Sequence, residues 1–159
     1  MKYCIDTSGL THIWRDFYPP TIFPSLWGDI ERCISDGLLI APDEVLEELK
    51  RGDDDLLEWA MVRADLFVRH TEDIQNIVTS ILADPEHVKL IYSKHADIYT
   101  DADPFVIATA KVHGCKVISN ERLLLTPSPN ITKIPNVCAD LGVDHLSVLE
   151  FIQEQGWQY

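Results

Sequence analysis

The stretch Asp103–Glu121, DPFVIATAKVHGCKVISNE, contains a helix signal, a strand signal and an acidic residue at each end. Pro104 suits the first turn of a helix, and the apolar run after it predicts a buried helix from Phe105 to His113. Gly114 is the expected end of that helix. The run KVIS that follows predicts a short buried strand. A helix that leads directly into a buried strand is typical of an α/β protein.

Short apolar runs on either side of this stretch predict further strands that alternate with helices. Strands are expected at Lys2–Ile5 and Leu38–Ala41, a strand or extended link at Leu66–Val68, and a last short strand at Ile131–Ile134. Helices are expected at about 9–17, 26–35, 42–51, 56–64, 71–82, 85–95 and 147–155. The alternation predicts a three-layer α/β/α fold whose central parallel sheet has about four or five strands flanked by helices.

Composition limits the classes of protein to consider. The chain has 159 residues, which fits a single domain over 1–159, and its formal net charge of −13 argues against simple, non-specific phosphate binding. No apolar run approaches the roughly 18 residues that cross a bilayer, and the N-terminus does not resemble a secretory signal. The four cysteines form no CxxC pair, which favours reduced thiols over zinc binding or disulfides. We therefore expect a cytoplasmic protein without a membrane partner.

Four acidic residues fall where predicted strands end or helices lie next to them. Asp6 and Glu121 each come at the end of a strand, whereas Asp103 begins a helix. Glu48 lies about one and a half turns into the helix that follows the second strand. Ligands of open parallel sheets bind at the carboxyl ends of the strands, and right-handed crossovers bring those ends to one edge. We therefore predict that the four acids share one site.

The chemistry of such a site points to a divalent cation. Carboxylates held close together repel one another until a proton or a cation binds. Oxygen ligands without His or thiolate favour Mg²⁺ or Mn²⁺, and these ions support hydrolysis of phosphodiester bonds. The candidate catalytic and metal-binding residues are Asp6, Glu48, Asp103 and Glu121. The supporting candidates are Ser8, Asp101, Ser119 and Asn120.

These segments resemble the motifs of PIN-domain nucleases in their order, spacing and strand context. DTS at 6–8 is similar to the opening motif, VLEEL at 45–49 to the second, DPFVIATA at 103–110 to the third, and VISNE at 117–121 to the fourth. IPNVC at 134–138 and the late Gly156-Trp157 pair resemble a PIN-like subgroup of uncharacterised bacterial and archaeal proteins, the DUF4411 type. The resemblance covers nearly the whole chain.

The resemblance implies a metal-dependent ribonuclease, often the toxin of a toxin–antitoxin pair whose antitoxin blocks the site. RNA would be the substrate, and PIN domains often form homodimers. The chain departs from the PIN pattern at Glu121, where most members have Asp. The longer side chain would place the metal differently or bind it through water. The basic residues nearest the motifs, which could hold RNA, are Lys50, Arg51, Lys111 and Arg122.

Two other functions remain open at this point. A PIN-like module could keep the acidic pocket and act only by binding a partner, which the Glu at the fourth position and the negative charge would suit. A phosphotransfer domain could use Asp6 as a phosphorylated nucleophile, but Ser8 stands where HAD-type enzymes need a second Asp. Each acid also has a purely structural explanation, as a turn residue, a solvated helix charge or a helix cap.

The histidines and a group of aromatic residues carry weaker signals. Histidines at 12, 70, 87, 95, 113 and 145 show neither HxxxH nor HxH spacing, so zinc is not expected, although a single His could still act as a general base. A partner surface or lid could be built from the early aromatic residues, but packing in the core or a dimer is the commoner explanation. These residues are Trp14, Phe17, Tyr18, Phe23 and Trp27.

Overall fold

A single parallel sheet forms the centre of the molecule. The computed structural model describes residues 1–52, 54–92 and 101–159. The five strands are β1 (Tyr3–Ile5), β2 (Leu39–Pro42), β3 (Phe67–Val68), β4 (Lys116–Ile118) and β5 (His145–Leu146). They pair in parallel in the order β3-β2-β1-β4-β5. The predicted α/β fold, a parallel sheet of four or five strands flanked by helices, is confirmed.

Eight α-helices lie in the described part of the chain, with three other helical segments between them. The α-helices are α1 (Thr7–Thr11), α2 (Pro24–Ser35), α3 (Asp43–Leu49), α4 (Asp55–Met61), α5 (Glu72–Ala83), α6 (Asp103–His113), α7 (Ile134–Leu141) and α8 (Val148–Gln155). The other segments are a π-helix at His12–Phe17, which continues α1, and 3-10 turns at Ala64–Leu66 and His87–Leu90.

The most buried helix, α6, lies across the middle of the sheet. It contacts β1, β2 and β4, and both α5 and α7 pack against it. Most of its residues are buried, which agrees with the apolar run in its sequence. Gly114 ends the helix with a φ of 65°, a left-handed conformation that other residues adopt only at a cost. The sequence stretch that predicted the fold therefore forms the centre of the core.

The strand order reverses between β1 and β4. From β1 the chain moves outward to β2 and β3, and then returns to place β4 on the other side of β1. Ile5 pairs with Ile118, so the two strands end side by side. Gly9 lets α1 pass close above these ends, because a Cβ there would lie 3.2 Å from the Ile118 carbonyl oxygen. Open α/β sheets bind ligands at such a reversal of strand order.

The strand predicted at Ile131–Ile134 is wrong. Residues 131–133 have no regular structure, and Ile134 instead begins α7. Pro135 lies in the first helical turn, where its missing N–H costs nothing. The apolar residues Ile134, Val137 and Cys138 follow a helical spacing and are buried. The edge strand beside β4 is β5, which the sequence reading did not identify.

Several helix boundaries differ from the predicted ones by a few residues. Pro42 ends β2 and precedes α3, whereas it was expected as the first helical residue. Asp103 is the first residue of α6, and Ala102 takes the capping position. The helix predicted at 85–95 is a short 3-10 turn at His87–Leu90, and its predicted end at 93–95 lies outside the described residues.

The early aromatic residues pack mainly inward. Trp27 is 4% exposed, and its ring makes edge contacts with Trp14 and Trp59 at centroid distances of 4.8 and 4.9 Å. Phe17 is the exception, because its side chain is largely exposed. All four cysteines are buried and carry free thiols. Among the helices that the structure describes, none is both long and apolar enough to span a bilayer.

Candidate active site

Asp6 lies at the reversal of strand order, directly after β1, and caps α1. Its Oδ2 accepts hydrogen bonds from the Ser8 N–H at 3.0 Å and from the Ser8 hydroxyl at 2.6 Å. The residue is only 2% exposed, and Oδ1 is buried with no hydrogen-bond partner among the described residues. A buried carboxylate oxygen without a partner is costly. This oxygen is therefore suited to binding a cation.

Glu48 connects the acid-bearing helix α3 to the start of α6. Its Oε1 accepts a hydrogen bond from the Ala102 N–H at 2.7 Å, while Asp101 accepts one from the Asp103 N–H at 3.1 Å. Ligand oxygens of Glu48, Asp101 and Asp103 all lie within 4.8 Å of one another, and both Asp residues are buried. At this distance two unit charges repel by about 3.5 kcal/mol for an effective dielectric constant of about 20. The group is thus suited to binding a positive ion.

Three of the predicted acids line one open cleft of about 340 Å³. They are Asp6, Glu48 and Glu121, and the supporting candidates Ser8 and Asn120 line the same cleft. Asp103 is connected to this cleft through Glu48, with which it forms the group of close carboxylates. Asp101, one of the supporting candidates, belongs to that group as well. The structure therefore places all four predicted acids at or next to one cleft, with Glu48 at the junction.

Glu121 is held by the start of α7. Its Oε2 accepts a hydrogen bond from the Ile134 N–H at 2.7 Å, and the Lys133 ammonium lies 3.9 Å from Oε1. Ile134 is the first residue of α7, whose N-terminal N–H groups lack partners within the helix. An Asp at this position would be one methylene shorter. The extra reach of Glu therefore has a structural use here, in addition to any contact with a ligand.

The supporting residues hold the ends of β1 and β4 together. The Ser8 hydroxyl donates to Asp6 and accepts from the Asn120 N–H at 3.0 Å. Ser119 is fully buried, and its hydroxyl lies 2.8 Å from His145 Nε2. Burial lowers the pKa of the His145 imidazole, although nearby carboxylates partly oppose this shift. These contacts fix the backbone that carries Asp6 and Glu121.

The sequence reading did not single out His12 and Asp16, which also line the cleft. His12 Nδ1 lies 3.3 Å from Asp16 Oδ2, and the imidazole packs on Phe17 with ring centroids 4.1 Å apart. Two threonines, Thr7 and Thr11, complete the wall of the cleft. The His-x-x-x-Asp spacing just after the first acidic motif was the available signal, because residues four apart meet on a helix.

None of the basic residues proposed to hold RNA lines this cleft in the described structure. Lys111 lies eight residues along α6 from Asp103, about 12 Å away along the helix axis, and donates to the Leu141 carbonyl at 2.8 Å. Lys50 pairs with Glu47 at 2.6 Å, and both Arg51 and Arg122 are exposed. The described residues that line the cleft are therefore acidic or neutral, apart from the imidazole of His12.

The five-stranded parallel sheet flanked by helices, with its reversal of strand order, forms a three-layer α/β fold of the PIN-like kind. The chain belongs to the DUF4411 family, described as a domain of unknown function, whose model matches residues 3–159. Among solved structures, it resembles FitAcB from Neisseria gonorrhoeae with a TM-score of 0.50 and 17% sequence identity, over 92% of this chain and 98% of that one. This likeness establishes the fold. No curated protein matches the sequence.

Proposed function

We propose that this protein is an endoribonuclease of the PIN type that depends on Mg²⁺ or Mn²⁺ and hydrolyses phosphodiester bonds of RNA. The observation that carries the proposal is that Asp6, whose buried Oδ1 lacks a partner in the described residues, lines the same cleft as Glu48. Glu48 also belongs to the group of close carboxylates with Asp101 and Asp103. Carboxylate oxygens are the ligands that Mg²⁺ and Mn²⁺ prefer.

Each residue has a distinct role in this proposal. When bound, the ion neutralises the carboxylates, accepts phosphate oxygens and activates water. Ser8 fixes the orientation of Asp6 by two hydrogen bonds, and Asn120 locks Ser8 to the end of β4. Ser119 supports the turn that carries Glu121, because its hydroxyl accepts a bond from the Glu121 N–H at 3.2 Å. The residues that would hold the ion are Asp6, Glu48, Asp103 and Glu121, with Asp101 beside them.

The PIN-like fold and motifs also support a biological context. We propose that the protein is the toxin of a toxin–antitoxin pair in the cytoplasm, and that an antitoxin covers the cleft until RNA is to be cut. The net charge of −13 would suit a basic partner. A homodimer is a further proposal, which the oligomeric state in solution would test.

The test is a cleavage assay on structured and unstructured RNA with Mn²⁺ or Mg²⁺, run beside an EDTA control. Asp6→Asn and Glu48→Gln should abolish cutting, because both remove negative charge that the ion needs. Glu47→Gln is the matched control, since Glu47 lies on the same helix and pairs with Lys50 at 2.6 Å. Metal-dependent cutting that survives only in wild type and Glu47→Gln would support the proposal.

A binding module without catalysis is the second candidate. The observation that favours it is the bond from the Ile134 N–H to Glu121, which gives this acid a structural task. It predicts that a folded protein free of any partner cuts none of a range of RNAs in either metal. A phosphotransfer domain has less support, because Asp6 is almost fully buried and its Oδ2 already accepts two hydrogen bonds from Ser8.

A further inference from the structure

The acidic cleft contains one residue of a different chemical kind. Four of its lining residues are acids. Four others are neutral, and these are Thr7, Ser8, Thr11 and Asn120. His12 is the one histidine among the described lining residues, and an imidazole can both donate and accept a proton. The side chain is about 19% exposed, so it is held by the protein yet open to a ligand. This combination is expected of a residue that exchanges a proton with a substrate.

The local backbone holds the His12 ring by two contacts. Asp16 lies 3.3 Å from Nδ1, and Phe17 packs against the ring face at a centroid distance of 4.1 Å. Both partners come from the π-helix that carries His12, and such wide helical turns occur frequently at functional sites. Arg15 of the same segment forms an ion pair with Asp54, just before α4. The imidazole is therefore fixed on a segment that is itself anchored.

With Asp16 at Nδ1, the nitrogen left to exchange a proton with a ligand is Nε2. We propose that His12 is a catalytic residue that protonates the leaving oxygen during hydrolysis. This inference rests on the proposed ribonuclease function. The oxygen of water forms a bond to phosphorus while the bond from phosphorus to the 3′ oxygen breaks. Water releases one proton to solvent, His12 Nε2 gives its proton to the 3′ oxygen, and His12 regains a proton from solvent. Asp16 is a positioning residue that holds the ring.

The experiment compares two substrates that differ in one atom. A single-stranded RNA carries either the ordinary 3′ oxygen or a bridging 3′ sulfur at the scissile bond, and the sulfur leaves as a thiolate that needs no proton. Single-turnover cleavage with Mn²⁺ is measured for wild type, His12→Gln and His113→Gln. The last is the control, because His113 is exposed at the far end of α6 from the acids. Affinity for the oxygen substrate is measured separately in EDTA by fluorescence anisotropy.

We expect His12→Gln to cut the oxygen substrate about 100- to 1,000-fold more slowly than wild type, in the range typical of a lost general acid. It should cut the sulfur substrate within about fivefold of wild type and bind RNA with unchanged affinity. Retained cleavage of the sulfur substrate also shows that the variant is folded. An equal loss on both substrates, or a loss of affinity that matches the loss of rate, would overturn the role of His12. Full activity of His12→Gln on the oxygen substrate would also overturn it, whereas an inactive wild type would refute the ribonuclease proposal itself.

Discussion

The group formed by Glu48, Asp101 and Asp103 should make the metal-free protein less stable than it could be. Replacing Asp103 with Asn removes one charge while keeping the size and an acceptor oxygen. The other two carboxylates lie within 4.8 Å, so the substitution removes two repulsions of about 3.5 kcal/mol each at an effective dielectric constant of about 20. The variant should therefore be more stable than wild type in EDTA.

The gain in the free energy of unfolding has an upper limit, because the carboxylates can bind a proton instead of repelling one another. Protonating an ordinary carboxylate at pH 7 costs about 4 kcal/mol, because pH 7 lies about three units above the usual pKa of the group. A cluster whose repulsion exceeded this cost would bind a proton instead, so the two repulsions cannot add in full. Glu48 is only partly buried, and solvent screens its charge further. We expect the free energy of unfolding to rise by about 1–3 kcal/mol.

Urea unfolding in EDTA and in Mn²⁺ measures both sides of this prediction. At a Mn²⁺ concentration 1,000 times the dissociation constant, binding should stabilise wild type by about 4.1 kcal/mol, and the variant by much less. The order of stability should thus reverse on adding metal. Glu47→Gln, a charge removed from the exposed side of the same helix as Glu48, should change stability by less than about 0.5 kcal/mol in both conditions. An Asp103→Asn protein that is less stable than wild type in EDTA, or equally stabilised by Mn²⁺, would refute the reasoning.

Three further predictions concern residues around the cleft. Glu121→Asp should lower the free energy of unfolding by about 1–2 kcal/mol, because the shorter side chain loses the hydrogen bond from the Ile134 N–H. Glu121→Gln should lower it by less, and urea unfolding of the two variants measures the difference. Burial lowers the pKa of His145 below its ordinary value of about 6.5, so the unfolded chain binds a proton more readily than the folded protein. The free energy of unfolding should therefore fall as the pH drops below about 6.5, by at most about 1.4 kcal/mol per pH unit. His145→Gln should flatten this slope, and an unchanged slope would contradict the assignment. Burial, with a smaller contribution from the charge of Glu121, raises the pKa of the Cys138 thiol to about 12. A thiol reagent should therefore modify Cys138 only at the rate of unfolding, and fast labelling of the native protein would contradict this prediction.

The sequence predicted the central part of the fold well because its signals there are local and agree with one another. In α6 and β4, an apolar run, a left-handed glycine and a short β-type run all indicate the same structure. Prediction failed at α7 and β5, where the elements are short. The run before α7 reads as a strand when taken alone, and β5 has two residues whose pairing with β4 no local pattern reveals.

In the candidate site, too, some residues could be predicted from the sequence and others could not. Placing Asp6 and Glu121 together required the rule that strand ends share one edge, and Glu48 was added from its place in the helix after the second strand. The three do line one cleft. The role of Asp101 depends on the turn before α6, where its side chain accepts the Asp103 N–H at 3.1 Å. His12 was not selected because, although its spacing from Asp16 is visible in the sequence, no local pattern shows that this part of the helix lines the acidic cleft.

Capping and metal binding are not competing explanations for the acids of this cleft. One oxygen of each of four carboxylates accepts a hydrogen bond from a main-chain N–H, at distances of 2.7 to 3.1 Å. The carboxylates are those of Asp6, Glu48, Asp101 and Glu121. Main-chain N–H groups fix the position of a carboxylate but leave its full negative charge in place, unlike an Arg or Lys partner. Backbone capping therefore holds several carboxylates close together and does not itself neutralise them, which is the arrangement that a divalent cation needs. Glu121 also has the Lys133 ammonium at 3.9 Å.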